Sequence, residues 1–289
     1  MFRIFRQILL PVSIVVTLLS CSCSRQTTSE ARPLNELSRD QLRIFLKGFM
    51  GDWRDDTDES RDIPSPSAQQ PVPADATFID LPAPDNLALG TMSLAQVVRQ
   101  RRSLRDYALT ALTMEELSFL LWCTQGVSSF EQDAAGNIES QFRTVPSGGS
   151  RHPFETYLLI NRVEGLSPGL YRFMPFGHKL CLLRKSGELA TRAEAICYGQ
   201  PFVGQAAVVF IWSAVPYRTE WRYGYISHRM IAIEAGHLCQ NLCLAAESIG
   251  GGACAILGYS QSHMDALLGV DGENEFTVYM ATVGKDPER

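Results

Sequence analysis

Two short stretches of this 289-residue chain carry side chains whose types and spacing can do chemistry. Arg101-Arg102-Ser103-Leu104-Arg105 places three guanidinium forks and a hydroxyl within five residues. Such forks grip a dianionic phosphate through paired, charge-assisted hydrogen bonds. An arginine run at a helix end also reads as a solvated face that complements the helix dipole. The second stretch is Pro146-Ser147-Gly148-Gly149-Ser150-Arg151-His152-Pro153. Its two glycines let the backbone approach a flat ligand and donate amides to its oxygens, or simply form a loop before a strand.

The elements that must position these stretches are readable from periodicity. Leu94, Val97 and Val98 within Ser93 to Gln100 have helical spacing, so the arginine run lies just past a helix end. Thr113-Met114-Glu115-Glu116 is a capping box that opens a second helix through Leu117, Leu120 and Leu121, stopped by Gly126. Thr156 to Asn161, Leu170 to Met174 and Lys179 to Arg184 read as strands, Leu189 to Tyr198 as a helix and Ala206 to Val215 as a buried strand. From Tyr225 to Ile249 runs the longest helical pattern, with Ile226, Met230, Ile233, His237, Leu244 and Ala245 along the stripe expected to be buried; His237 is then a core histidine. Gly250, Gly251 and Gly252 end it, and capping accounts for them. Ala253 to Leu257 is a strand, Ser260 caps a helix to Leu268, and Phe276 to Val283 is the closing strand. Helices and strands interleave without a regular βαβ beat, so the fold class is α+β, a mixed sheet flanked by helices.

Composition removes some functions. With Lys+Arg 26 against Asp+Glu 31 the net charge is −5, so no basic field attracts nucleic acid. Arg3 and Arg6 precede an apolar run from Ile8 to Leu19, too short for a spanning helix and ordered like an export signal. Leu18-Leu19-Ser20-Cys21 resembles a bacterial lipobox with Cys21 as the acylated residue, and Cys23 is the weaker alternative. Ser22 after it favours the outer membrane, in a bacterial envelope with the protein on the periplasmic side. Residues 1–20 are then a signal peptide and 21–75 a tether, with a short helix over Asp40 to Phe49 and an acidic, proline-rich linker from Gly51 to Pro73; residues 76–289 form the body. Cys123, Cys181, Cys197, Cys239, Cys243 and Cys254 sit in apolar contexts without metal-ligand spacing, so they read as buried free thiols and no metal is expected.

The motifs in chain order are Arg-Arg-Ser-x-Arg, Leu-Thr-x-Glu-Glu-Leu-Ser-x-Leu-Leu-Trp, Pro-Ser-Gly-Gly-Ser-Arg-His-Pro-Phe-Glu, Pro-Gly-Leu-Tyr, Glu-Ala-Gly-His-Leu-x-Gln-Asn-Leu and Val-Gly-Lys. Together, over about residues 91 to 289, they resemble the nitroreductase-like FMN oxidoreductases, and within them the SagB-type branch that includes the thiazole/oxazole dehydrogenases. The resemblance implies a homodimer with two FMN sites at its interface. It implies that Arg101, Arg102, Ser103 and Arg105 hold the FMN phosphate and ribityl chain, with Lys285 near the phosphate. It implies that Pro146, Ser147, Gly148 and Ser150 reach the flavin from the other subunit, Ser150 standing where many nitroreductases have Asn. Leu257-Gly258 matches the turn whose backbone approaches flavin N5. The Lys-Tyr pair that the thiazole/oxazole dehydrogenases use for proton removal is matched by Arg222-Tyr223, the catalytic pair implied here. An arginine does not serve as a base, but it can orient an anion or act on Tyr223; both residues can also simply pack at the pocket rim.

The expectation is therefore an exported, lipid-anchored FMN oxidoreductase that passes hydride between a small-molecule or peptide substrate and FMN N5. An NAD(P)H-dependent nitro or quinone reductase and a catalytically silent flavin-binding lipoprotein are the alternatives.

Overall fold

The computed structural model describes residues 38–47 and 56–289. The signal-peptide reading, Cys21 and Cys23, and residues 48–55 of the tether lie outside the described residues. Along the chain the helices are α1 (Arg39–Ile44), α2 (Leu94–Gln100), α3 (Met114–Gln125), α4 (Leu189–Ile196), α5 (Pro201–Gln205), α6 (Tyr217–Tyr223), α7 (Ser227–Ser248) and α8 (Gln261–Leu268). The strands are β1 (Thr77–Asp80), β2 (Val127–Gln132), β3 (Ile138–Arg143), β4 (Phe154–Ile160), β5 (Gly169–Met174), β6 (Lys179–Lys185), β7 (Val208–Ala214), β8 (Gly251–Ile256) and β9 (Phe276–Lys285). Helix α1 belongs to a unit that ends at Leu46, and every other element lies in the unit that begins at Lys47. It is shorter than the expected Asp40 to Phe49 helix, with a Ser38–Gln41 capping box and no buried residue. No helix among the described residues is long and apolar enough to cross a membrane.

Seven strands form one sheet in the order β1-β6-β5-β4-β7-β9-β8, every neighbouring pair antiparallel. Strands β4 and β7 are buried at every position because both faces of the sheet are covered, and β7 is accordingly apolar from Val208 to Trp212. On one face Leu158, Phe210 and Trp212 pack with Leu117 and Leu121 of α3 and Leu238 and Leu242 of α7. On the other, Leu159, Val209 and Ile211 pack with Leu189 of α4 and Met264 and Leu267 of α8. Each such side chain removed from water stabilises the fold by about 1.5–3 kcal/mol before entropy is counted. The expected α+β architecture is thus present, with an antiparallel sheet between helical layers.

Local signals act where they were read. Ser93 with Gln96 and Thr113 with Glu116 form reciprocal capping boxes at α2 and α3. Ser260 does precede α8, but its hydroxyl pairs with His263 Nδ1 at 2.7 Å instead of capping the helix. Cys181, Cys197, Cys239, Cys243 and Cys254 are buried free thiols and Cys123 is a half-buried one.

Two expectations are corrected. The buried stripe of α7 is Ile231, Ala235, Leu238, Leu242 and Ala246, whereas Ile233 and His237 face outward. His237 is therefore not a core histidine. The apolar stripe read from the sequence belongs in part to a second, open face, because α7 is pressed against the sheet on one side only.

The acidic, proline-rich segment is not a free linker either. Its described part, residues 56–73, runs as a strap along the body, fastened by groups far away in sequence. Trp221 Nε1 donates to Ile63 O at 2.8 Å, Arg218 Nε to Ser67 O at 2.9 Å, and Arg172 to Gln70 O and Pro71 O at 3.1 and 2.6 Å. Proline-rich chain that forms no ladder of its own leaves its carbonyls open, and buried arginines of the body take them up.

Candidate functional site

The arginine run begins where α2 ends and crosses to the edge of the sheet. Ser103 bridges Ala253 of β8, and Leu104 N donates to Ala253 O at 3.1 Å. Gly252 makes this approach possible: a Cβ there would stand 2.6 Å from Leu104 Cβ. Arg102 turns back onto the last carbonyls of α2, Arg99 O at 3.0 Å and Arg101 O at 2.8 Å. The Arg105 guanidinium lies 5.8 Å over the Phe202 ring. Arg101 lies toward Cys243 of α7. That thiol is lowered by its hydrogen bond with Cys239, against the effect of burial, and Arg101 adds to the lowering. Lys285 closes β9 opposite Gly251, and its Nζ pairs with Glu116, whose other oxygen accepts Thr113 N at 2.9 Å. The run thus climbs β8 in parallel, from Arg101 near the end where Gly251 faces Lys285, past Ser103 at Ala253, to Arg105 beside Cys254. Leu257 and Gly258 follow β8 at its other end, Leu257 exposed and Gly258 O accepting from Gln200 Nε2 at 3.1 Å.

The glycine loop lies elsewhere on the chain. Gly148 N donates to Glu234 Oε1 at 2.8 Å, and a Cβ on Gly148 would meet Met230 Cε at 2.1 Å. Gly149, at φ 56°, packs against Arg222 and Tyr223: a Cβ there would stand 2.6 Å from the Tyr223 hydroxyl. Glu234 and Met230 sit in the N-terminal half of α7, whereas Cys243, which Arg101 faces, sits in the C-terminal half. Nine residues separate Glu234 from Cys243, about 14 Å along the helix. Within the chain, then, the loop joins Arg222 and Tyr223 but not the arginine run.

Loop geometry is held by its own polar groups. Ser150 and His152 have φ of 59° and 45°, a left-handed conformation that non-glycine residues rarely adopt. The hydroxyl of Ser150 clasps Gln141, accepting from its N at 3.1 Å and donating to its O. Ser147 Oγ accepts from His152 N at 2.9 Å, and His152 Nε2 lies 3.2 Å from Gln141 O. Both serine hydroxyls are therefore engaged, Ser147 within the loop and Ser150 on β3, and Pro146 is exposed. Burial pushes His152 down to about 3, with Arg143, Arg151 and Arg218 adding to the effect, so the ring is neutral and Nε2 can donate. Glu234 is raised by burial, against the opposing bonds from Gly148 and Ser147.

Three features went unread in the sequence. Glu234 sits in the Glu-Ala-Gly-His motif and fastens the loop. The β2–β3 hairpin supplies Gln141, and the strap supplies Glu59, whose Oε1 lies 3.3 Å from Arg222 Nη1. Arg222 closes α6, its guanidinium 5.9 Å from the Tyr223 ring. Arg151 lies 5.2 Å over Trp221 and donates to Gly149 O, Ser65 Oγ and Glu139 O. Among the described residues no group of three or more His, Cys, Asp or Glu could hold a metal ion.

Comparison with known proteins places this arrangement. Over 197 residues the chain is 29% identical to the protein described as nitroreductase MJ1384 of Methanocaldococcus jannaschii, covering 68% of this chain and 93% of that one. It is 24% identical over 154 residues to the microcin B17-processing protein McbC of Escherichia coli, and spans about half of that relative (54%) and 50% of itself. A crystal structure from Anabaena variabilis, described as a nitroreductase, superposes with a TM-score of 0.59 at 25% identity; the match covers 73% of this chain and 42% of that longer one. The nitroreductase family profile matches residues 98–285, a span that contains the arginine run, the glycine loop, Arg222-Tyr223, Leu257-Gly258 and Lys285. With most of the body matched in this way, the chain belongs to the nitroreductase family.

Proposed function

We propose that the protein is an FMN-dependent oxidoreductase of the SagB type, held in the bacterial envelope by acylated Cys21 and working as a homodimer. The observation that carries the reading is the seating of the arginine run on β8. From Ala253, which Ser103 bridges, to Leu257 is four residues, about 13 Å of strand. That is room for a phosphate at one end, a five-carbon chain along the edge and a ring at the other. The donor set suits such a group: guanidiniums at Arg101 and Arg105 and the Ser103 hydroxyl are the kinds of donor that hold a dianion, and Lys285 ends the neighbouring strand.

When bound, FMN supplies two-electron chemistry at N5. The chain's own residues do the rest. Backbone at Leu257-Gly258 orients the ring without adding a titrating group. Arg222 orients an anionic part of the substrate, and Tyr223 beside it is the group placed to move a proton. The exposed α2 side chains Leu94 and Val98, together with Ile233 on the open face of α7, support the homodimer, in which the glycine loop of one copy reaches the arginine run of the other. Because nicotinamide cofactors are mainly cytoplasmic, an envelope enzyme takes hydride from the organic substrate being oxidised and passes the electrons to oxygen, a quinone or a redox partner. The likeness to McbC supports a peptide among the candidate substrates; the likeness to MJ1384 supports nitro reduction by NAD(P)H as the second reading.

Full-length protein should be yellow as isolated, or take up FMN, and lose that capacity in the Arg101→Ala/Arg105→Ala double variant. Folded, colourless protein that refuses added FMN refutes the proposal. Anaerobic titration then separates the two readings: rapid bleaching by NADPH with no response to any organic donor supports the second.

A further inference from the structure

Resting on the proposed site but reaching beyond it, the geometry points to a carboxylate-binding subsite formed by Arg222 beside Arg151, which the chain's own Glu59 occupies as an internal stand-in for a monocarboxylate ligand. Burial lowers the Arg151 guanidinium, Arg222 lowers it further, and Glu59 opposes both, so the three charges face one another. Among the described residues Arg151 forms no ion pair, and its hydrogen bonds go to neutral oxygens: Gly149 O, Ser65 Oγ and Glu139 O. Glu59 is thus the carboxylate set against both guanidiniums, and a ligand carboxylate in its place meets the same two donors.

The Glu59 contact is made to be exchanged. Arg222 and Glu59 are 40% and 38% exposed and meet at 3.3 Å, the kind of ion pair that contributes little. The strap is held firmly from Ile63 onward, by Trp221, Arg218 and Arg172. The turn that carries Glu59 is held by buried Thr57, which bonds Ser60, and by Tyr217 donating to Asp58 Oδ2 at 2.8 Å. The Glu59 side chain makes no second ion pair or hydrogen bond among the described residues, so it can leave Arg222 without the turn moving.

Room for a ligand lies alongside. A cleft of about 1170 Å³ opens between strap and hairpin, with Arg151, Trp221, Arg222 and Phe176 in its wall. Asp62, Asp133 and Glu139 also line it, so a polyanion is repelled while one carboxylate on a flat apolar body is accepted. The strap lies outside residues 98–285, the span that the family profile matches.

Benzoate, with benzyl alcohol as its neutral counterpart, tests the subsite by calorimetric titration of the full chain, the Glu59→Gln, Arg222→Gln and Arg222→Lys variants. The expected results are benzoate affinity about two- to five-fold higher in Glu59→Gln, lost in Arg222→Gln and largely kept in Arg222→Lys, with benzyl alcohol indifferent to all three. Unchanged or weaker benzoate binding in Glu59→Gln overturns the proposal, as does benzoate binding that survives Arg222→Gln. Circular dichroism shows that each variant is folded. The flavin spectrum, recorded separately, reports on the proposed cofactor, so that loss of the FMN reading and loss of the subsite are distinguishable.

Discussion

Glu155 is the point at which the strap, the sheet and α6 are tied, and replacing it should release the strap. Its Oε1 accepts Arg218 Nη2 at 2.5 Å and the strap amide of Gln70 at 2.9 Å, and both charged side chains are 3% exposed. Glu155→Ala leaves the Arg218 charge buried without its partner, and Arg218 Nη1 is already without a hydrogen bond among the described residues. Breaking a buried pair from one side costs about 3–5 kcal/mol. For a body of this size each kcal/mol moves Tm by roughly 2–4 °C, so the fall should be about 6–20 °C. Limited trypsin digestion should also cut sooner at Arg61. A companion double variant, Glu155→Leu/Arg218→Met, separates the two effects. It restores part of the stability, since apolar side chains replace the pair, yet keeps the strap open to protease because Ser67 O and Gln70 N still lack partners. A loss below about 1 kcal/mol in Glu155→Ala, with the strap as resistant as in the parent, would falsify the assignment.

His152 gives a pH signature. Its folded value of about 3 lies below the ordinary 6.5, so the unfolded chain binds the extra proton between those limits and stability falls as pH drops through that window, by up to about 1.4 kcal/mol per unit. Urea melts from pH 4 to 7 should show this slope, flattened in His152→Asn, a residue that tolerates the left-handed backbone. Gly252→Ala pushes Leu104 and the arginine run off β8 at an overpacking cost of about 1–3 kcal/mol; FMN binding, followed by flavin fluorescence, should weaken by about tenfold while riboflavin, which has no phosphate, is little affected. Thr113→Ala removes the α3 cap and should cost about 1 kcal/mol in a thermal melt.

How much of this was legible depended on the range of the forces involved. Capping boxes at Ser93 and Thr113 are complete within four residues, and β7 announces itself by an apolar run from Val208 to Trp212. The face of α7 was misread because Ile233 is as apolar as Ile231, and hydropathy does not separate a side packed on the sheet from one left open. The hairpin escaped because β2 is exposed at nearly every position, so alternation carried no signal. Glycines 148 and 149 were found, but not Glu234, since a buried carboxylate that serves a loop 86 residues away looks like any helix glutamate. The strap was misjudged for a related reason. Its composition cannot bury itself, and the arginines and the Trp221 indole that hold it lie 102, 151 and 158 positions further along the chain.

That dependence runs in both directions, and it bears on where the folded unit begins. Arg172 and Arg218 are almost fully buried, and their donors end on strap carbonyls at Ser67, Gln70 and Pro71. Trp221 does the same at Ile63. A chain cut to residues 76–289 keeps every strand of the sheet but strips these donors of their acceptors, and it leaves Glu155 without the Gln70 amide. Water replaces part of what is lost, so each orphaned donor costs toward the lower end of the usual 1–3 kcal/mol, and the set together about 3–6 kcal/mol. Residues 47–289 should therefore give the higher midpoint in urea, and 76–289 should expose apolar surface and aggregate at high concentration. Equal midpoints for the two would mean that the strap lies on the body without stabilising it, and that the buried arginines find other partners when it is gone.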